Sequence, residues 1–273
     1  MSELGKRILV ALFGIPLLLF VTYLGDWYFF SIVLLISIVA QWEFYQLQKH
    51  KNIQPQSISG IIIGIFLLVG VQIQNFYATS LILLFFLMLI LTSEMFRRHK
   101  NVSTNIGVTI LGILYIPLLL GTFLYVRINV GDLFSDIPNA GFRFILIIFA
   151  SIWLCDTFAY AFGRLLGRHK LYEKVSPNKS MEGAVAGIIG SIIVFINVKF
   201  IHFLPFTWQD VFVFGIVIGI IGQIGDLVES WFKRDVGIKD SSTLLPGHGG
   251  MLDRFDSLIF VSPAIFIIIN LMM

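Results

Sequence analysis

The sequence predicts an all-α polytopic integral membrane protein of about nine transmembrane helices, with the N-terminus cytoplasmic and the C-terminus outside. Three observations predict it. Of the 273 residues, 57% are hydrophobic and only 13% charged, and the mean hydropathy is +0.90, far from the balance of an ordinary soluble domain. Nine runs approach the roughly 20 apolar residues that a helix needs to cross about 30 Å of hydrocarbon. They lie near 8–25, 27–47, 57–75, 77–95, 104–126, 142–165, 183–203, 210–231 and 256–272. With the N-terminus inside, 16 of the 19 Lys and Arg fall in cytoplasmic loops, and only Arg127, Arg143 and Lys199 fall outside. Basic residues favour the cytoplasmic side of short loops, and a different helix count scrambles that bias.

The elements follow in order. The first segment is apolar for longer than a signal peptide requires and lacks a small-residue cleavage site before Asp26, so it is expected to be a retained helix. Trp27, Tyr28 and Trp42 suit the interfacial belt. Gln72, Gln74 and Asn75 alone separate the third and fourth runs. Glu43 and Glu94 lie near cytoplasmic helix ends, where a carboxylate is expected to reach headgroup water, and they receive no role. The 27 Phe are expected to fill lipid-facing and interhelical space. The single cysteine, Cys155, cannot form an intrachain disulfide and is a poor nucleophile in apolar surroundings. The net charge of +3 reports topology and makes no case for a nucleic-acid partner.

Residues 1–140 read as a plain, lipid-facing scaffold of helices. Residues 141–273 read as the catalytic half, with cytoplasmic loops 164–182 and 232–255. At about 1.5 Å per residue, Asp156 and Asp226 fall in the cytoplasmic third of the membrane, and Asp253 and Asp256 enter the last span from the same side. The four acids are expected to converge at one level, in a cavity open to the cytoplasm. Carboxylates at that depth cost several kcal/mol unless paired, hydrated or bound to a cation, so they are functional candidates.

Each motif has two explanations at this stage. In GDLVES, Asp226 and Glu229 share a helical face with Ser230 and Lys233, as ligands of a cation or as acids neutralised by Lys233 and Arg234. In MLDRFD, Asp253 and Asp256 again share a face, as hard oxygen ligands suited to Mg²⁺ or with Asp253 as an N-cap. PGHGG holds Gly249 and Gly250, which let backbone approach an anion; His248 beside them is a candidate catalytic group or a solvated loop residue. Lys233, Arg234, Lys239 and Arg254 surround these acids. The loop before residue 183 offers Arg164, Ser176 and Lys179, as phosphate ligands or, for the cations, as partners of anionic lipid headgroups. SPNKSMEG looks like a turn leading into a helix start, with Ser180 as cap and backbone N–H groups exposed to a phosphate. Walker-type, HExxH, CxxC and GxSxG patterns are absent.

The run Ser230–Asp256, S-W-F-K-R-x4-K-D-S-S-T-L-L-P-G-H-G-G-M-L-D-R-F-D, resembles the signature of the phosphatidate cytidylyltransferases, the CDP-diacylglycerol synthases. DTFAYAFGR around Asp156 and SPNKSMEG extend the likeness over the C-terminal half. Phe158 stands where the family usually has Gly, and Asn178 and Ser180 where it usually has Lys and Thr. The resemblance implies transfer of CMP from CTP to phosphatidic acid, giving CDP-diacylglycerol and pyrophosphate. It implies Mg²⁺ held by Asp226 and Asp253 with Asp256 in support, K⁺ as a second cation, and a homodimer. Lys239 and His248 are further catalytic candidates. Lys179, Ser176, Arg164, Lys233, Arg234, Gly249, Gly250, Arg254 and Asp156 are the expected substrate-binding set. The setting implied is a bacterial cytoplasmic membrane, with membrane lipids as partners and the site facing the cytoplasm. Two other classes stay open on the residues alone: a CTP-dependent lipid-alcohol kinase and an ion-coupled transporter.

Overall fold

The structure is a computed structural model that describes residues 3–97, 100–244, 247 and 249–272. The chain forms two compact units: Met1–Tyr125 with Asp235–Phe255, and Val126–Arg234 with Asp256–Met273.

The first unit contains α1 (Glu3–Leu24), α2 (Asp26–Lys49), α3 (Ser57–Gln72), α4 (Phe76–Arg97) and α5 (Val102–Ile113). A π-helical turn, Leu114–Leu118, then runs into α6 (Leu119–Leu133). Pro117 sits inside that turn; proline has no N–H to give to the helix, and one wider turn absorbs the lost bond. The break between α3 and α4 falls at the expected amides: Gln74 adopts a φ of 54°, and Asn75 Oδ1 accepts from Ala78 N at 3.0 Å to open α4. Tyr45 of α2 is fully buried. Its hydroxyl donates to Thr109 O at 2.8 Å and accepts from Gln41 Nε2 at 3.0 Å, while the same amide reaches Gly60 O.

Glu94 does not reach headgroup water. It is buried, and its carboxylate accepts from Gln56 Nε2 at 2.8 Å, Arg97 Nη1 at 2.7 Å and Asn105 Nδ2 at 3.0 Å. One acid thus joins α4 to α5 and to the segment before α3. Removing it leaves the buried amides of Gln56 and Asn105 and the partly exposed Arg97 facing one another, so Glu94→Ala is expected to cost roughly 3 kcal/mol of stability. The thermal midpoint of the detergent-solubilised protein measures this, and an unchanged midpoint contradicts it.

The second unit contains the end of α6, α7 (Ala140–Leu166), α8 (Met181–Phe200), α9 (Trp208–Asp235) and most of α10 (Leu252–Met272). Between α7 and α8 lies a feature that an all-α class leaves out: β1 (Lys170–Tyr172) pairs antiparallel with β2 (Ser176–Ser180), with Lys170 opposite Ser180 and Tyr172 opposite Ser176. SPNKS, expected as a turn, is therefore a strand. Small residues set the helix spacing. A Cβ on Gly187 would lie 3.0 Å from Cys155 Sγ and 3.1 Å from Cys155 O, and one on Gly219 would lie 2.8 Å from Ile188 Cα. Lipid tails are as apolar as Leu, so close packing of this kind is what joins helices in a membrane. At one end of the unit Phe144, Phe195, Phe206 and Phe214 form a ring cluster with centroids 5.5–6.1 Å apart.

Two of the three basic residues expected outside have protein partners that account for them. Arg143 Nη1 donates to Phe203 O at 3.0 Å and its guanidinium lies 5.0 Å from the Phe203 ring centre. Lys199 Nζ donates to Phe206 O at 2.5 Å and lies 5.2 Å from the Trp208 ring centre. Both fasten the turn between α8 and α9.

Among the described residues, seven helical stretches are long and apolar enough to cross a membrane: α2, α4, the continuous Val102–Leu133, α7, α8, α9 and α10. Of the other two expected spans, α1 is a helix of 22 residues, whereas α3 has 16 and at 1.5 Å per residue extends only about 24 Å.

Candidate functional site

In the second unit a cavity of about 600 Å³ is lined by Asp156, Tyr160 and Arg164 of α7, Ser176, Asn178 and Lys179 of β2, and Gln223 and Asp226 of α9. That volume lies within the usual range for small-molecule sites. Five residues expected at a site meet here: Asp156, Arg164, Ser176, Lys179 and Asp226. Lys179 Nζ is shielded from solvent and pairs with Asp226 Oδ2 at 2.5 Å. Ser230 Oγ, one turn along α9, donates to Asp226 Oδ1 at 3.3 Å. Gln223 Nε2 donates to Ala184 O at 3.0 Å and Gly219 O at 2.7 Å, so its amide ties α9 to α8 at the cavity wall.

Asp256 lies on α10 within electrostatic range of Asp226, Asp156 and Lys179. Gly225 makes this approach possible: a Cβ there would stand 2.7 Å from Asp256 O and 2.9 Å from Phe260 Cβ. The residue before the candidate ligand Asp226 must therefore be glycine for α9 and α10 to come this close. Asp256 Oδ1 accepts from Ser257 N at 2.6 Å. Asp156 and Asp226 thus share one cavity with a shielded ammonium, and their oxygen donors are of the type that hard cations prefer. Among the described residues no three such side chains already stand close enough to chelate a metal. Mg²⁺ is commonly held by only one or two carboxylates, with substrate phosphates and water completing its shell, and the donor set fits it in that sense.

The helix start after β2 is as expected in one respect and not in another. Ser180 is the N-cap of α8, accepting from Gly183 N at 3.1 Å. Met181 N, however, donates to His169 O at 2.9 Å. Two N–H groups of that first turn are thus already engaged, which weakens the helix end as a phosphate cradle. Glu182 turns back to accept from Arg168 N at 3.1 Å and from His169 Nδ1 at 2.6 Å, fastening the hairpin's entrance.

Lys233 and Arg234 do not line the cavity. Lys233 is buried and pairs with Glu229 at 2.6 Å, one turn along α9. The neutralisation expected as an alternative in GDLVES is therefore found for Glu229, whereas Asp226 is partnered from β2. Arg234 Nε donates to Val175 O at 3.2 Å, holding the hairpin.

The remaining expected residues belong to the first unit. Helix α10 begins at Leu252, four residues before the apolar run, so Asp253 lies in its first turn. Its Oδ2 accepts from Ser241 N at 2.9 Å, Ser241 Oγ at 2.8 Å and Gly250 N at 2.7 Å. Gly247 and Gly249 adopt φ of 77° and 83°, a left-handed backbone that side-chain-bearing residues seldom accept. Lys239 and Arg254 are exposed. His248 lies outside the described residues.

One residue here was given no role by its sequence context. Glu43 of α2 is fully buried, and its carboxylate takes Ser242 Oγ at 2.5 Å, Leu252 N at 2.7 Å, Met251 N at 3.0 Å and Ser241 Oγ at 3.2 Å. Expected at the headgroups, it instead organises the polar segment before α10. The available signal was an acid within an apolar run, but its partners lie some two hundred residues away.

Residues 5–272 match the sequence model of the Cytidylyltransferase family. The phosphatidate cytidylyltransferase of Staphylococcus haemolyticus (strain JCSC1435) is 34% identical over 271 residues, 96% of this chain and 98% of that protein. The phosphatidate cytidylyltransferase of Bacillus subtilis (strain 168) is 30% identical over 275 residues, 99% of each chain. That of Staphylococcus saprophyticus (strain ATCC 15305) is 49% identical over a shorter stretch of 132 residues.

Proposed function

Since the chain belongs to the cytidylyltransferase family, we propose that it transfers CMP from CTP to phosphatidate, leaving CDP-diacylglycerol in the membrane and releasing pyrophosphate. The observation that carries this reading is the cavity in which Lys179 and Arg164 meet Asp156 and Asp226. Cations and acids in one pocket suit a polyphosphate together with its metal, and neither sign alone would do so.

A phosphate oxygen of the lipid attacks the α-phosphorus of CTP; a new P–O bond forms there, and the bond to the β-phosphate oxygen breaks. That oxygen is already ionised at neutral pH, so the reaction asks no side chain to remove a proton from it. This assigns the acids to a cation and leaves none as an obligatory base. The protein must instead hold two anions within about 3–3.5 Å of each other and stabilise the charge that builds on pyrophosphate. Lys179 and Arg164, which line the cavity, would meet the triphosphate, and Ser176 and Asn178 add polar groups to the same wall. As the resemblance implies, Asp226 and Asp253 with Asp256 in support would hold Mg²⁺, which would supply positive charge that draws electron density from the transferring phosphoryl group. For Lys179 to serve the triphosphate its pair with Asp226 must open, and a cation at Asp226 would replace the charge it gives up. Mg²⁺ dependence, K⁺ as a second cation, a homodimer and a cytoplasm-facing site in the cell membrane belong to the same proposal and are supported by the resemblance.

Purified protein given phosphatidate and CTP labelled at the α-phosphorus is expected to place label on the lipid and release pyrophosphate. Release of labelled CDP with no nucleotide on the lipid would point instead to phosphorylation of a lipid alcohol and overturn the proposal.

A further inference from the structure

Glu43 lies 198 residues before Ser241 in the chain, yet it and Asp253 share that serine's hydroxyl: Ser241 Oγ stands 3.2 Å from Glu43 Oε2 and 2.8 Å from Asp253 Oδ2. A second link runs through Gly250. Its N–H donates to Asp253 Oδ2 at 2.7 Å, while a Cβ on it would fall 2.6 Å from Glu43 Oε1 and 2.7 Å from Oε2, so the backbone passes directly over the glutamate. The third link is α10 itself. Met251 N and Leu252 N donate to Glu43 at 3.0 and 2.7 Å, at a helix start whose N–H groups lack partners within the helix and whose dipole favours a negative charge.

We propose that Glu43 is a positioning residue for the reaction: it clamps residues 241–252 so that Asp253, next in the chain, is presented in one orientation. The inference rests on the reading above, in which Asp253 contributes to the cation site. The chemistry requires a carboxylate. Each oxygen of Glu43 faces one serine hydroxyl and one backbone N–H, and a glutamine of the same size offers one oxygen while turning an NH₂ toward the other N–H, which can only donate. A clamp on a ligand's supporting loop acts through ligand geometry. Loss of such outer partners typically lowers metal affinity or activity roughly 10- to 100-fold.

The test compares Glu43→Gln and Ser241→Ala in the full chain, in detergent, with CTP, phosphatidate and a Mg²⁺ titration. Glu43→Gln is expected to lower kcat by roughly 10- to 100-fold and to raise the Mg²⁺ needed for half-maximal rate by a similar factor, with KM for phosphatidate unchanged. Ser241→Ala removes only the shared hydroxyl, so it keeps the test alive if Glu43→Gln fails to fold; the same two shifts are expected, smaller. A merely structural Glu43 would reduce the amount of folded protein and leave the Mg²⁺ requirement of the remainder untouched; that result overturns the inference. Wild-type kcat and Mg²⁺ requirement in Ser241→Ala also overturn it, while the function proposed above survives. A wild-type protein that makes no CDP-lipid overturns both.

Discussion

Asp226→Asn is expected to lower the rate of CDP-diacylglycerol formation by about 10³-fold, equivalent to about 4 kcal/mol of transition-state stabilisation. The residue stands where α9 meets the cavity, paired to the shielded ammonium of Lys179 at 2.5 Å and in range of Asp256. Asparagine keeps its shape and removes its charge. The expected consequence is a cluster with one carboxylate fewer for a cation and a lysine that has lost its counter-charge. Raising Mg²⁺ tenfold in the labelled-CTP assay should recover little of the rate. A single variant within tenfold of wild type would remove Asp226 from the cation site.

Asp253→Asn is the second large effect, for a different structural reason. Its Oδ2 gathers Ser241 N, Ser241 Oγ and Gly250 N, and the carbonyl oxygen of asparagine can go on accepting from such donors. Loop and helix start are therefore expected to hold, with a thermal midpoint close to wild type, while turnover falls by about 10²- to 10³-fold because the charge is gone. The pairing of near-normal stability with lost turnover is the diagnostic. Near wild-type turnover at saturating Mg²⁺ would leave Asp253 with only the loop-organising role that its hydrogen bonds describe.

Much of the site was legible as an inventory. Asp156, Lys179 and Asp226 stand out because each is a charged group in or beside an apolar run, and they do line one cavity. Ser180 reads as an N-cap from its place before Met181-Glu182-Gly183, and it is one. What the inventory lacked was partners. Asp226 shares a helical face with Lys233, two turns further on, but that lysine went to Glu229, four residues before it, and Asp226 paired across to β2. Glu43 and Glu94 showed no local cue separating a carboxylate at the headgroups from one buried among donors, because those donors come from segments far along the chain. The hairpin escaped for a related reason: SPNKS has no alternating apolar pattern, and its strand exists because β1 supplies a ladder.

The sequence by itself determined the membrane class, the rough positions of the helices and the set of charged groups available for chemistry. A bilayer judges residues almost one at a time, by the cost of transferring each side chain from water to hydrocarbon, so composition and run length suffice. Only the tertiary structure decided which acid meets which donor. Those pairings depend on distances of a few tenths of an ångström set by close packing, such as the room that Gly225 leaves for Asp256 and Gly250 leaves for Glu43, and no single residue carries that information.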